Sequence, residues 1–344
     1  MAVSHLSKDE QALIEAIREI ASERVAPRAA EIDSTGEYPW DMKELLAQQD
    51  ILAMPFPEEY GGLGSTELAV VQAIEELSRY CATTGLILAV QQLGAMPIML
   101  AGTEAQKRKY LPLLATGEWL SAYGLTESAS GSDAAAMQTF AVRKGDIYVL
   151  NGSKRFITNG GLAQVNSIFA ITDRSAGTRG ISGFIVEKDF PGFTVGRIED
   201  KMGIKGSQTA ELMFNDCEVP VENLLGREGE GFKIAMMTLD RTRIGIGAQA
   251  LGIAQGALDL AVSYAKQRVQ FNRPIAANQG IQFMLADMAT KVEASRLLVY
   301  NAAEMVDRAD GDFGRYSSMA KMFASDSAMA VTNDAIQILG GYGY

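Results

Sequence analysis

Histidine is almost missing from this chain: His5 is the only one in 344 residues. It sits in an N-terminal tail with no capping signal, where a solvated side chain is the ordinary fate. With a single histidine, no Ser-His-Asp or Cys-His arrangement can be built. Cysteine is nearly as scarce, since Cys81 and Cys217 are the only two and lie far apart. One histidine and two distant cysteines cannot form a zinc site, so no metal is expected. Nor is there a disulfide framework, and reduced thiols of this kind suggest a cytoplasmic, bacterial protein. Positive charge is short as well. Lys and Arg number 31 against 42 Asp and Glu, and the net charge of -11 would repel a phosphate backbone, which argues against a nucleic-acid partner. Met1 to Glu10 shows neither an apolar h-region nor an arginine-rich presequence. The longest apolar stretch, Gly85 to Ala101, is broken by Gln91, Gln92 and Pro97, and reads as too short and too polar to cross a bilayer. Membrane insertion is therefore not expected.

What remains is a globular composition, 47% hydrophobic and 21% charged, in a chain too long for one core. Ser7 and Glu10 form a capping box, after which Leu13, Ile14, Ile17, Ile20 and Ala21 recur at helical spacing up to Pro27. A second helix is expected near Trp40, a long one from about Ser65 with Leu68, Val71 and Ile74 on one face, and another capped by Thr103. From about Ser121 the period shortens. Ile147 to Leu150, Ser167 to Thr172, Gly183 to Val186 and Glu211 to Phe214 read as strands, separated by turns at Lys144-Gly145-Asp146, Asn151-Gly152 and Asn159-Gly160-Gly161. After Gly231 helical spacing returns. The expected architecture is α+β multidomain: an N-terminal α-helical domain over 1–120, a middle β-barrel or sandwich over 121–230, and a C-terminal α-helical bundle over 231–344.

Gly226, Gly229 and Gly231 lack the spacing of a dinucleotide fingerprint and, from the sequence, its strand-to-helix setting; a turn into the last helices is the better reading. Chemistry must then come from a bound organic cofactor and carboxylates. The run Tyr123-Gly124-Leu125-Thr126-Glu127-Ser128-Ala129-Ser130-Gly131-Ser132-Asp133 offers small residues that expose backbone amides. Its Thr126 and Ser132 add hydroxyls suited to the polar edge of a flavin or to a phosphate. On its own it is better read as a Ser/Gly interdomain linker.

This run resembles the Leu-Thr-Glu-Pro-x-x-Gly-Ser-Asp signature of acyl-CoA dehydrogenases, with Ser128 in place of the proline. Phe156-Ile157-Thr158-Asn159-Gly160 is similar to the family's Trp-Ile-Thr-Asn-Gly, Arg268 to Phe271 to its Arg-x-x-Phe, and Gln337 to Gly341 to its Gln-Ile-Leu-Gly-Gly. The resemblance covers essentially the whole chain and implies FAD as cofactor. Tyr123, Leu125 and Thr126 would line the pyrimidine side of the flavin, with Ser132 on the same loop and Phe156, Ile157 and Thr158 against the ring. It further implies that Arg268, Gln270, Phe271, Gln279, Gln337, Gly340 and Gly341 meet the FAD of a neighbouring subunit in a homo-oligomer, expected to be a tetramer. For the acyl-CoA it implies Ser132 near the pantetheine, and Asp240 and Arg243 near the adenine, with Asp240 also a plausible N-cap at a helix start.

The implied reaction is α,β-dehydrogenation of a short-chain acyl-CoA to the trans-2-enoyl-CoA. A carboxylate takes the α-proton, the β-hydrogen leaves as hydride to the flavin, and electrons pass on to an electron-transfer flavoprotein. An acyl-CoA oxidase or flavin monooxygenase of the same fold, and a noncatalytic scaffold, are the alternatives. The base is the open position. In most relatives it is a glutamate further along than Tyr344, and in a minority it stands where this chain has Thr242, so the sequence is expected to be C-terminally incomplete. Glu127 belongs to the signature and is not the expected base. Gly85 aligns where glutaryl-CoA dehydrogenases carry an arginine, implying a short, uncharged acyl tail.

Overall fold

The computed structural model describes residues 6–344, so His5 lies outside the described residues. The N-terminal helices are α1 (Lys8–Ile20), α2 (Ala29–Thr35), α3 (Trp40–Gln48), α4 (Glu67–Tyr80), α5 (Ala82–Ala101) and α6 (Glu104–Ala115). The strands follow: β1 (Ser121–Gly124), β2 (Phe140–Lys144), β3 (Ile147–Thr158), β4 (Val165–Ile171), β5 (Ile181–Glu187), β6 (Phe193–Ile198), β7 (Thr209–Pro220) and β8 (Leu224–Leu225). Last come α7 (Gly231–Gln267), a small hairpin of β9 (Val269–Gln270) and β10 (Arg273–Pro274), then α8 (Gln279–Asp307) and α9 (Phe313–Leu339). This is the helical, β, helical order read from the sequence. The caps form as their residues dictate: Ser7 and Glu10 cap α1 reciprocally, and Thr103 caps α6 with Gln106 as its partner.

By packing, the chain divides into two compact units. One holds 6–30, Thr66–Leu86 and Arg243–Tyr344, and the other Glu31–Ser65 and Ile87–Thr242. In the first, α4 lies against glycines of α7. A Cβ on Gly252 would come within 2.3 Å of the Glu75 carbonyl oxygen, and one on Gly256 within 2.1 Å of that of Arg79, so only glycine allows this approach. A polar network ties α4 to α7 and to α8. The Arg296 guanidinium donates to Glu75 Oε1 at 2.9 and 3.1 Å, the Tyr300 hydroxyl to Glu75 Oε2 at 2.7 Å, and Arg79 to Asp259 at 2.6 Å. Burial pushes the Glu75 carboxyl above its ordinary value against the pull of Arg296.

The second unit is built on an eight-stranded sheet in the order β6-β7-β3-β2-β4-β5-β8, with β1 pairing beside β4. Alternation decides its two faces. Phe169, Ile181 and Ile185 pack with Tyr110, Leu111 and Leu114 of α6, whereas Ile168, Ala170, Phe184 and Val186 join Leu150, Leu212 and Phe214 in a second core. Tyr148 of β3 and Phe184 of β5 are separated by two strands in the sheet, yet their rings lie 5.0 Å apart, so the sheet folds over on itself.

Four details depart from the sequence reading. Asn151-Gly152 is not a turn: β3 runs on through it for 12 residues, with a register shift against β7 between Leu150 and Gly152. Asp240 is not an N-cap, because α7 begins nine residues earlier at Gly231. Gly226 to Gly231 does lie between a strand and a helix, but β8 is two residues long and antiparallel to β5, so no βαβ unit forms. The Gly85 to Ala101 stretch is one continuous helix through Pro97. By length and composition, α5 and α7 are both sufficient to cross a membrane, and α5 is 72% buried within the protein. In it Gln91 Nε2 donates to the Leu114 and Trp119 carbonyls at 2.8 Å, so the polar residues tie a core helix in place.

Candidate flavin site

The signature loop is shaped by its own hydrogen bonds. Glu127 and Ser130 exchange backbone bonds at 2.9 and 3.2 Å, which places Ser128 and Ala129 at the tip of a tight turn. Ser128 thus occupies the turn position where proline's fixed φ suits and serine is tolerated. Ser132 is exposed, and a Cβ on its neighbour Gly131 would meet nothing within 4 Å. Glu127 turns inward. Its Oε1 accepts from Lys154 Nζ at 2.7 Å and the Thr139 amide at 3.1 Å, and its Oε2 from the Gln138 amide at 2.6 Å. Burial pushes this carboxyl up, but Lys154 and the amides outweigh it and hold it below the ordinary value. A carboxylate so engaged is a poor proton acceptor. Burial also pulls the Lys154 ammonium down to about 8 despite its partner.

On β3 the register against β7 shifts between Lys154 and Ile157, and Phe156 adopts φ 58° on this bulge. A non-glycine residue there is strained, and such strain concentrates at functional sites. Phe156 is 60% exposed, which sets aside the core-packing explanation of this aromatic. Its neighbour Arg155 is held by Glu199 and Glu211, both at 3.2 Å, and the Arg155 amide donates to the Thr126 carbonyl at 2.8 Å. Loop and bulge are thereby joined side by side. The Thr126 and Thr158 hydroxyls are half-buried, and neither has a hydrogen-bond partner among the described residues. Leu125 and Ile157 are core side chains. Tyr123 packs its ring 5.3 Å from Phe169 and donates its hydroxyl to the Ala235 carbonyl at 3.1 Å, so these three can offer a ligand mainly backbone. Asn159 of the same motif is structural: at φ 61° its Nδ2 donates to the Ser121 carbonyl, closing the turn after β3.

In the other unit, a pocket of about 500 Å³ brings Arg268, Gln270, Gly340 and Gly341 together with Tyr264, Ile275 and Tyr342. The Arg268 guanidinium lies 5.7 Å over the Tyr342 ring, which is 6.3 Å from that of Tyr264. Gly340 takes φ 61°, and a Cβ on it or on Gly341 would meet nothing within 4 Å, leaving room for close approach of a ligand. The motifs did not reveal Tyr264, although its place one turn before Arg268 on α7 could have. Gln337 contributes a carbonyl to the Gly340 amide, Gln279 opens α8, and Phe271 stands 89% exposed at the tip of the β9–β10 hairpin; none of the three lines the pocket. Asp240 and Arg243 lie one turn apart on α7, both half-buried, and the Thr242 hydroxyl between them is buried and donates to the Thr238 carbonyl at 2.9 Å. Among the described residues no cluster of three or more His, Cys, Asp or Glu could hold a metal.

The comparisons with known proteins bear on the family. Residues 7–118, 122–217 and 229–344 match the N-terminal, middle and C-terminal domains of acyl-CoA dehydrogenase. These matches define a flavoprotein oxidoreductase acting on CH–CH bonds, and the chain belongs to the acyl-CoA dehydrogenase family. Its similar relatives include short-chain members. A short-chain-specific acyl-CoA dehydrogenase of Clostridium acetobutylicum is 50% identical over 341 residues, covering 99% of this chain and 90% of that one. The butyryl-CoA dehydrogenase of Megasphaera elsdenii superposes with a TM-score of 0.96 at 48% identity, covering 99% and 90%. A structure from a study of the electron transferring flavoprotein of Acidaminococcus fermentans superposes with a TM-score of 0.97 at 52% identity, with the same coverage.

Proposed function

We propose that this chain binds FAD and oxidises short, uncharged acyl-CoA thioesters to trans-2-enoyl-CoA. The observation that carries the reading is the joined edge of loop and bulge, where two hydroxyls without protein partners flank an exposed aromatic. Bound FAD would supply the hydride acceptor for the β-hydrogen. Phe156 would pack on the isoalloxazine face, and Thr126 and Thr158 would donate to its polar edge, holding it in one plane against the substrate. Arg268, with its planar fork and no carboxylate partner among the described residues, suits a pyrophosphate, and Gly340 and Gly341 suit the adenosine half. Phe271, exposed at a hairpin tip, is proposed to meet a second subunit of a homotetramer. Ser132, Asp240 and Arg243 are proposed for the CoA portion, and an electron-transfer flavoprotein as acceptor.

For the α-proton, position 127 is engaged and position 242 carries a hydroxyl with no accessible pKa. Neither is therefore proposed as the group that takes the α-proton. Titration with butyryl-CoA under anaerobic conditions tests the whole reading: the protein should be yellow as purified and bleach on binding. A colourless protein that takes up no added FAD would refute it.

A further inference from the structure

Lys154 is fully buried and Glu127 nearly so, and their ion pair ties the signature loop to β3. Lys154 Nζ reaches the Leu125 carbonyl at 3.1 Å and Glu127 Oε1 at 2.7 Å, with Met137 Sδ at 3.9 Å. Glu127 in turn grips the far end of its own loop through the Gln138 and Thr139 amides, and the Thr139 hydroxyl donates to the Ser153 carbonyl at 3.2 Å. Desolvating two charges costs so much that an apolar pair of similar volume usually stabilises a fold as well or better. The pair's use is therefore geometric. Glu127 follows Thr126 directly, and Lys154 precedes the bulge that turns Phe156 out and leads into Thr158.

We propose that the Lys154–Glu127 pair is a positioning latch, fixing the height of the Thr126 loop against the Phe156–Thr158 edge so that both present to one flavin plane. This rests on the FAD reading above. Neither residue touches the reacting atoms, and a tie between two surfaces should change how the flavin is held as well as whether the protein folds.

The test compares Lys154→Met, Glu127→Gln and the double variant, with Tyr148→Phe as control. Tyr148 lies on the same strand, and its hydroxyl bonds to Glu228 at a distance from the loop motif in sequence. For each purified protein, thermal unfolding, FAD dissociation constant, visible absorption and circular dichroism of the bound flavin, and flavin reduction potential are measured. Both single variants are expected to weaken FAD by about tenfold or more and to shift the flavin bands and potential, and the double variant should be no worse than the weaker single one, as coupled residues are. Tyr148→Phe should lower the melting temperature and leave the flavin signals unmoved. Glu127→Gln, which keeps the shape of the side chain, covers the case in which Lys154→Met does not fold. Unchanged flavin spectrum and affinity in a folded single variant, or losses that multiply in the double, would overturn the latch. A wild-type protein that holds no FAD would instead remove the reading beneath it.

Discussion

At the scale of the residue, cost marks the site. Phe156 carries backbone strain of order 1–3 kcal/mol at φ 58° and displays an aromatic ring to solvent, neither of which helps the unliganded fold. Phe156→Gly should leave the FAD-free protein at least as stable in a denaturant titration and weaken FAD several-fold, corresponding to the roughly 1 kcal/mol of an aromatic stack. Lys154 gives a pH signature with an unusual sign. Its ammonium titrates at about 8 in the folded protein and at its ordinary 10.5 when unfolded, so between those values the unfolded chain binds more protons. The stability of the wild type relative to Lys154→Met should therefore rise with pH across this window and be flat below it, as read by urea unfolding at successive pH values. Glu127 acts at the other end: its folded value is depressed, so its contribution is present above the ordinary carboxylate range and is lost as acid takes the pH below it. Both cysteines are buried and free, and burial raises the Cys217 thiol to about 12, so neither is a reactive nucleophile.

Among the elements, α7 and the hairpin after it carry the sharpest expectations. The α4 backbone approaches α7 only because Gly252 and Gly256 lack a Cβ, and Gly256→Ala would drive a methyl into the Arg79 carbonyl. A loss of about 1–3 kcal/mol is expected in thermal or chemical unfolding, the usual cost of overpacking. The Arg268 segment ends α7 and enters a hairpin whose two-residue turn, Phe271-Asn272, has positive φ at both positions, the twist that matches a tight hairpin. Arg268→Ala should reduce FAD retention and the oligomer together on gel filtration at falling concentration. A variant that stays tetrameric and yellow would show that the arginine is only a solvated charge. Element boundaries were legible where caps are local, as at Ser7 and Thr103. Asn151-Gly152 misled because the same dipeptide serves a hairpin or a bulge, and only the partner strand β7 decides between them.

For the molecule as a whole, the question is which substrates and acceptors it serves. Gly85 faces α4, and a Cβ there would come within 2.0 Å of Ser78 Oγ, so an arginine at this position has no room as the helices stand. A buried carboxylate without a counter-charge costs several kcal/mol, and butyryl-CoA should be preferred over glutaryl-CoA by kcat/KM. Stopped-flow mixing of the reduced, enoyl-CoA-bound enzyme with air should give slow reoxidation, whereas rapid peroxide release would place the chain among oxidases.

Much of this was determined by the sequence alone. The scarcity of histidine and cysteine excluded whole chemistries, the change of hydrophobic period marked helices from strands, and four short motifs in order carried the family. Those signals are local, and locality survives in a string of letters. The tertiary structure alone decided that Glu127 is spent on Lys154, that Phe156 points outward while Leu125 and Ile157 point inward, and that Arg268 shares a pocket with Gly340 and two tyrosines. Each of these depends on which distant backbone lies opposite, through a register shift, a buried charge seeking its partner or a helix end meeting a hairpin, and no spacing along the chain encodes that.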